Sequence, residues 1–258
     1  MGDRQVLRHV SSETLAASAA ARLVTTVVDR QAATGGARLV LTGGGIGTAV
    51  LAAIASTPAR DAIDWGAIDI YWGDERYLET SDPDRNETSA RRALLDFVPI
   101  DPARVHSIPG PDRATSVEEA ALGYAGLLAS QSRPEDHGPV PSFDVLLLGI
   151  GPEGHVGSIF PESPAAHETQ RTVVAVTGCP KPPPTRITMT LPAINAARQV
   201  WVLASGSEKA KAVRLMLEPG AGPLQVPAAG VRGQDLTLVL VDQEAASLLP
   251  AQFGRPEA

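Results

Sequence analysis

Short aliphatic runs that read as strands alternate with segments of helical period along most of the chain, and that alternation limits the fold more than any other feature. Residues 12–31 place Leu15, Ala19, Leu23 and Val27 on one helical face behind Ser11 or Ser12 as cap. ARLVLT follows as a strand, GGGIG breaks the chain, and TAVLAAIAS resumes helical character. AIDIYWGDER reads as a strand entering a polar loop. NETSARRALLDF and VEEAALGYAGLLASQ read as helices, and PSFDVLLLGI as a buried strand. TVVAVTG, TRITMTL and QVWVLASG are three further β-rich segments. SEKAKAVRLMLE is helical, and DLTLVLVD is a last strand before a short terminal helix. Strands interleaved with helices predict an α/β fold: a Rossmann-like open sheet, mostly parallel, with helices on both faces. There is no repeat and no long linker, so residues 1–258 are expected to form a single domain.

Composition removes several function classes. A net charge of −7 without a Lys/Arg block argues against nucleic-acid binding. No apolar stretch reaches the ~18–20 residues that a bilayer crossing needs, and the N-terminus lacks a secretory pattern. The one cysteine, Cys179, allows no internal disulfide and suits a reducing cytoplasm, where it reads as an inert thiol. No two histidines have metal-ligand spacing, so neither a metal nor another cofactor is expected.

Two glycine turns invite a ligand. LTGGGIGTAV joins a strand to a helix, where glycines and free N–H groups can cradle an anion, or can simply make a tight turn. It lacks the Lys-Ser/Thr ending of a nucleoside triphosphate loop. Gly149, Gly151 and Gly154 spell G-x-G-x-x-G, but Pro152, Gly157 and Pro161 forbid the helix that dinucleotide binding requires. That turn, GIGPEGHVGSIFP, presents Glu153 and His155 directly after a buried strand.

Four polar groupings follow strand ends or open a helix: the loop at 43–47, Gly73-Asp74-Glu75-Arg76, the Glu153/His155 turn, and Ser205–Lys209. Open α/β sheets collect ligands at the carboxyl ends of their strands. The segments LTGGG, WGDER, the asparagine of PDRNE, LLLGIGPEGHVGSIFP, KPPPTRITMTLPAIN and ASGSEKAKAV together resemble the 6-phosphogluconolactonases, within the wider family that includes the glucosamine-6-phosphate deaminases.

The resemblance implies the sugar-phosphate isomerase/deaminase-like fold and hydrolysis of 6-phospho-D-glucono-1,5-lactone to 6-phospho-D-gluconate in the oxidative pentose phosphate pathway. Such a lactone is an ester. Its hydrolysis needs an activated water, a stabilised oxyanion and a proton for the leaving oxygen, and an imidazole near its ordinary pKa of ~6.5 can move both protons. His155 takes that role, oriented or made more basic by Glu153. Arg186 and Lys209 match positions that grip the phosphate, while Arg76 faces either phosphate or lactone carbonyl. Gly43, Gly44, Gly45, Asp74, Asn86 and Gly154 complete the expected substrate-binding set. Asp74 and Glu75 could brace Arg76, and Asn86 could fix its loop or touch a sugar hydroxyl. His9, His106, His137 and His167 lie outside every motif and read as loop or surface residues.

Three departures and two rivals bear on this reading. Glu153 stands where the family usually has Asp, and Gly45 and Ile46 replace a frequent Ser-Thr, so backbone N–H groups would have to hold phosphate there. The deaminase branch carries an acid five residues after the shared histidine and Asp-Glu-Tyr in the earlier motif; this chain has Phe160 and Asp74-Glu75-Arg76, which favours the lactonase. A non-catalytic sugar-phosphate-binding module is the other rival, but a binder has no need of a histidine beside an acid. The expected partner is a small sugar-phosphate lactone, the expected location the cytoplasm, and the expected assembly a monomer or small homo-oligomer.

Overall fold

The computed structural model describes residues 3–134, 136, 138–250 and 253. Its strands are β1 (Asp3–His9), β2 (Ala37–Leu41), β3 (Ile68–Trp72), β4 (Asp74–Arg76), β5 (Val145–Gly149), β6 (Val173–Val176), β7 (Arg186–Met189), β8 (Gln199–Ala204) and β9 (Leu236–Asp242). Its α-helices are α1 (Ser12–Thr34), α2 (Gly44–Ser56), α3 (Asn86–Ala93), α4 (Val117–Gln131), α5 (Leu191–Ile194) and α6 (Ala210–Leu217).

Six strands make one sheet in the order β1-β9-β8-β5-β2-β3, every pairing parallel. Helices cover both faces, which is why the central strands read as unbroken aliphatic runs: Val145, Leu146, Leu147 and Leu148 of β5 are all buried. The register pairs Leu41 with Trp72, Gly149 with Leu203 and Ala204 with Val241. The residues after these strands therefore emerge along one edge, where the ligand crevice of a parallel sheet lies.

The caps explain where α1 begins and ends. Ser11 accepts the backbone N–H of Thr14 while the Thr14 hydroxyl accepts the N–H of Ser11, a reciprocal capping box. Gly35 ends the helix at φ 79°, a left-handed cap that glycine tolerates best. The exposed edge of β3 is covered as well. The Tyr124 hydroxyl of α4 accepts from the N–H of Trp72 and donates to its carbonyl, and His106 N–H bonds to Ile70 O.

Three sequence expectations need correction. DRQVLRH shows no strand pattern of its own, yet it forms β1, because all seven residues pair with β9; as an edge strand it carries charges that hide its β character. GDER is not a loop but contains β4. With β7 and β6 it makes a separate antiparallel sheet in the order β4-β7-β6, so TVVAVTG and TRITMTL leave the main sheet. The residues after β9 form successive turns over 243–248 rather than a helix, and most of those beyond 250 lie outside the described residues. Among the described residues no helix is long and apolar enough to cross a membrane.

Candidate active site

A cavity of about 680 Å³ opens where β2, β5 and β8 end, and β4 and β7 wall its far side. Gly43, Gly44, Gly45, Asp74, Arg76, Asn86, His155, Arg186 and Lys209 all line it. Glu153 stands behind His155. Gly154 is not in the wall: its Cβ position points at Val226, 2.9 Å away, and its φ of 91° makes it the pivot of the turn. Packing against Val226 and the positive φ give this position a reason to be glycine.

The first wall is the β2–α2 junction. Gly43 caps α2 without a side-chain hydrogen bond, so the first amides of this thirteen-residue helix have no side-chain acceptor. Added Cβ atoms at Gly44 and Gly45 would meet nothing within 4 Å, which leaves those amides open to an anion. Gly43 is held differently. A Cβ there would fall 1.9 Å from Oδ1 of Asn86, so only glycine lets the loop and Asn86 meet.

Asn86 is fixed by β4. Its Nδ2 donates to the Asp74 carbonyl at 2.9 Å and to Asp74 Oδ1 at 3.3 Å, while Asp74 Oδ2 accepts the Ser158 hydroxyl at 2.7 Å. Glu75, fully buried, accepts the backbone N–H groups of Arg76, Asn86 and Glu87 at 2.7–2.9 Å. That one carboxylate ties β4 to the first turn of α3. Burial pushes its pKa up to about 7, against the opposing pull of Arg85 and the three amides. Arg76 donates through Nη1 to the Asp84 carbonyl, and its buried Nε has no hydrogen-bond partner.

The glycine-rich turn after β5 is a tight reversal, closed by Gly151 N–H to His155 O at 2.9 Å and Gly154 N–H to Gly151 O at 2.9 Å. A Cβ at Gly151 would land 1.9 Å from His155 Nδ1; the glycine makes room for the ring. His155 packs on Phe160, ring centroids 4.5 Å apart. Its Nδ1 lies 3.1 Å from Glu153 Oε1, but off the line of a formed hydrogen bond. Burial holds the imidazole below its ordinary pKa; Glu153 opposes that and Lys181 adds to it. Burial raises Glu153, yet its own backbone N–H, His155 and Lys181 outweigh this and keep the carboxyl below its usual range.

Arg186 enters from β7, 6% exposed. Its Nε and Nη2 donate to the carbonyls of Pro183, Lys181 and Pro182 at 3.1–3.2 Å, and its guanidinium lies 5.9 Å from the Phe160 centroid. Among the described residues its Nη1 has no hydrogen-bond partner. Lys209 follows β8. Asp242, at the end of β9, shapes that loop by accepting from the Ser205 hydroxyl at 2.6 Å and from Gly206 N–H at 3.1 Å. Burial lowers the Lys209 pKa.

Sequence reasoning missed Lys181, Ser158 and Asp242 as site residues. Lys181 lines the cavity and donates to Glu153 Oε2 at 3.3 Å; its position five residues before Arg186 in KPPPTR was the available signal. Of the remaining histidines, His106 is hydrogen-bonded through Nε2 to Asp69 Oδ1 at 2.9 Å and stacked on Tyr71, so it is structural. His9 is bonded to Val241 O, His167 is exposed, and His137 lies outside the described residues. Cys179 is buried, and that burial raises its thiol pKa, as an inert thiol requires. Among the described residues no cluster of His, Cys, Asp and Glu could hold a metal.

A sequence profile of glucosamine-6-phosphate isomerases/6-phosphogluconolactonase matches residues 10–240. The chain is 56% identical to the 6-phosphogluconolactonase of Streptomyces coelicolor, over 98% of this chain and 97% of that protein. It is 48% identical to the 6-phosphogluconolactonase of Mycobacterium tuberculosis, over 93% and 96%. The solved 6-phosphogluconolactonase of Trypanosoma brucei superposes with a TM-score of 0.80 at 27% identity, covering 97% of this chain and all of the other. The cavity at the strand ends, the motifs that line it and this similarity along nearly the whole length agree: the chain belongs to the glucosamine-6-phosphate isomerase/6-phosphogluconolactonase family.

Proposed function

We propose that this protein is a lactone hydrolase that converts 6-phospho-D-glucono-1,5-lactone to 6-phospho-D-gluconate in the oxidative pentose phosphate pathway. The observation that carries the reading is the 56% identity to a 6-phosphogluconolactonase along 98% of the chain. The cavity's chemistry supports it. An imidazole that burial keeps neutral can take a proton from water, and the hydroxide adds to the lactone carbonyl. The tetrahedral oxyanion then forms in a cavity walled by Arg76, Lys181, Arg186 and Lys209. As the ring C–O bond breaks, the imidazolium returns its proton to the departing oxygen, which becomes the free hydroxyl of the open acid.

Arg76 and Arg186 lie side by side and so suit the phosphate jointly, helped by Lys209 and the open amides of α2. Asp74 and Asn86 hold the sugar side of the wall. Phe160 stands where the deaminase branch has its extra acid, which leaves that branch's proton transfers without a donor at this position. The whole chain acts as one domain in this reading. The single buried thiol is consistent with a cytoplasmic setting.

Freshly generated lactone decides the matter. Acid release above the spontaneous rate supports the hydrolase, ammonia release from glucosamine 6-phosphate supports the deaminase, and binding with neither product supports a binding module.

A further inference from the structure

Lys181 has no role in the mechanism above beyond its charge, yet its contacts are specific. It lies between β6 and β7, its side chain 43% exposed, with the ammonium at the cavity. Nζ donates to one oxygen of Glu153 at 3.3 Å, and the other oxygen stands 3.1 Å from His155 Nδ1. A single carboxylate therefore spans the lysine and the imidazole. The arrangement has firm supports at both ends. Arg186 Nη2 donates to the Lys181 carbonyl at 3.2 Å, tying the loop to the small sheet, and Phe160 backs the imidazole ring.

We propose that Lys181 is a positioning residue for lactone hydrolysis: by donating to one oxygen of Glu153 it holds that carboxylate beside His155 and offsets its charge there. This rests on the hydrolase reading with His155 as base. A carboxylate facing a histidine does two things, orienting the ring and favouring its protonated form. Protonated, His155 cannot accept a proton from water. Of the charged groups facing the ring, Glu153 from the same turn and Asp74 from β4 favour imidazolium, and Lys181 opposes it. Lys209, from the β8–α6 side, interacts with Glu153 as well. By taking up one carboxylate oxygen, Lys181 leaves Glu153 its orienting contact while offsetting its charge.

The test compares Lys181→Met and Lys181→Arg with the parent protein, following lactone hydrolysis across the acid limb of kcat/KM and titrating the ¹⁵N-labelled His155 imidazole by NMR. Lys181→Met is expected to move both the acid limb and the imidazole titration to higher pH by roughly 0.5–1. It should also lower the plateau kcat about fivefold, with KM within about twofold. Lys181→Arg, which keeps the charge, should restore the limb. A merely structural lysine would move neither titration, and that result overturns the proposal. So does a rise of more than about tenfold in KM with the limb unmoved, which would make Lys181 an anion ligand. If the parent protein shows no hydrolysis, the hydrolase reading fails by itself. The imidazole titration then decides: an unshifted ring in Lys181→Met rejects the contact, and a shifted ring retains it.

Discussion

Arg76 and Arg186 are direct partners across the antiparallel β4–β7 ladder, and both line the cavity. Like charges placed opposite each other weaken a sheet, and among the described residues no carboxylate forms an ion pair with either. Asp74 is committed to Ser158 and Asn86, and Glu75 to backbone amides and Arg85. Two unneutralised guanidinium groups in register make sense as a holder for a dianion.

Arg76→Ala and Arg186→Ala should each raise KM for the lactone about tenfold to a hundredfold, with a smaller change in kcat. The double variant should lose less than the product of the two if both side chains hold one phosphate, as proposed above. Steady-state kinetics on the four proteins measures the coupling. Strict multiplication would place the arginines on different substrate groups.

Glu153→Gln should act in the direction opposite to Lys181→Met. The Glu153 charge raises the His155 pKa against its burial, so its removal lowers that pKa further and moves the acid limb of kcat/KM to lower pH. The plateau should fall about tenfold as the ring loses its orienting partner. A pH–rate series checks both.

Glu75 makes a prediction about stability. Its folded pKa, about 7, lies above the ordinary carboxyl value. A raised pKa means that the folded state holds the proton more tightly than the unfolded state. The resulting stabilisation is full below the unfolded pKa and is lost as pH rises through about 7. Melting temperatures of the parent and Glu75→Gln, measured between about pH 5 and 8, should show the parent losing ground to the variant as pH rises. A constant difference would mean that Glu75 titrates normally.

Much of this architecture is legible in the residues. The runs VLLLG, WVLA and LTLVLVD announce a parallel sheet because both of its faces are covered, and Ser11 marks the start of α1 by its side-chain chemistry. β1 was not legible, since an edge strand with Arg4 and Arg8 owes its conformation to β9 rather than to its own pattern. β4 was hidden likewise: three polar residues become a strand only when β7 supplies the ladder. In the candidate site, motif residues that face the cavity were found, and Lys181 was missed because its role depends on a contact twenty-eight residues back in the chain. Gly154 sits inside a motif, and its contact with Val226 cannot be read from the motif's spacing.

Gly43→Ala and Gly151→Ala separate the two halves of the cavity. The first drives a methyl into Asn86 and should disturb the β4 wall; the second drives one into the His155 ring. Gly151→Ala should therefore depress kcat, and Gly43→Ala should chiefly raise KM. Each effect should be about tenfold or more, the scale of a 1 Å displacement in a catalytic geometry. Equal effects on both parameters in both variants would show that the cavity does not divide this way.

In the function proposed above, His155 activates water for attack on a phosphorylated sugar lactone. That role is tested most directly by acid release from freshly made 6-phosphoglucono-1,5-lactone, with the parent protein and His155→Ala at equal concentration, corrected for the spontaneous rate. The parent should exceed the spontaneous rate, and the variant's kcat should be about 10²–10⁴-fold lower with a small change in KM. A variant that hydrolyses the lactone as fast as the parent, or a parent no faster than buffer, would contradict it.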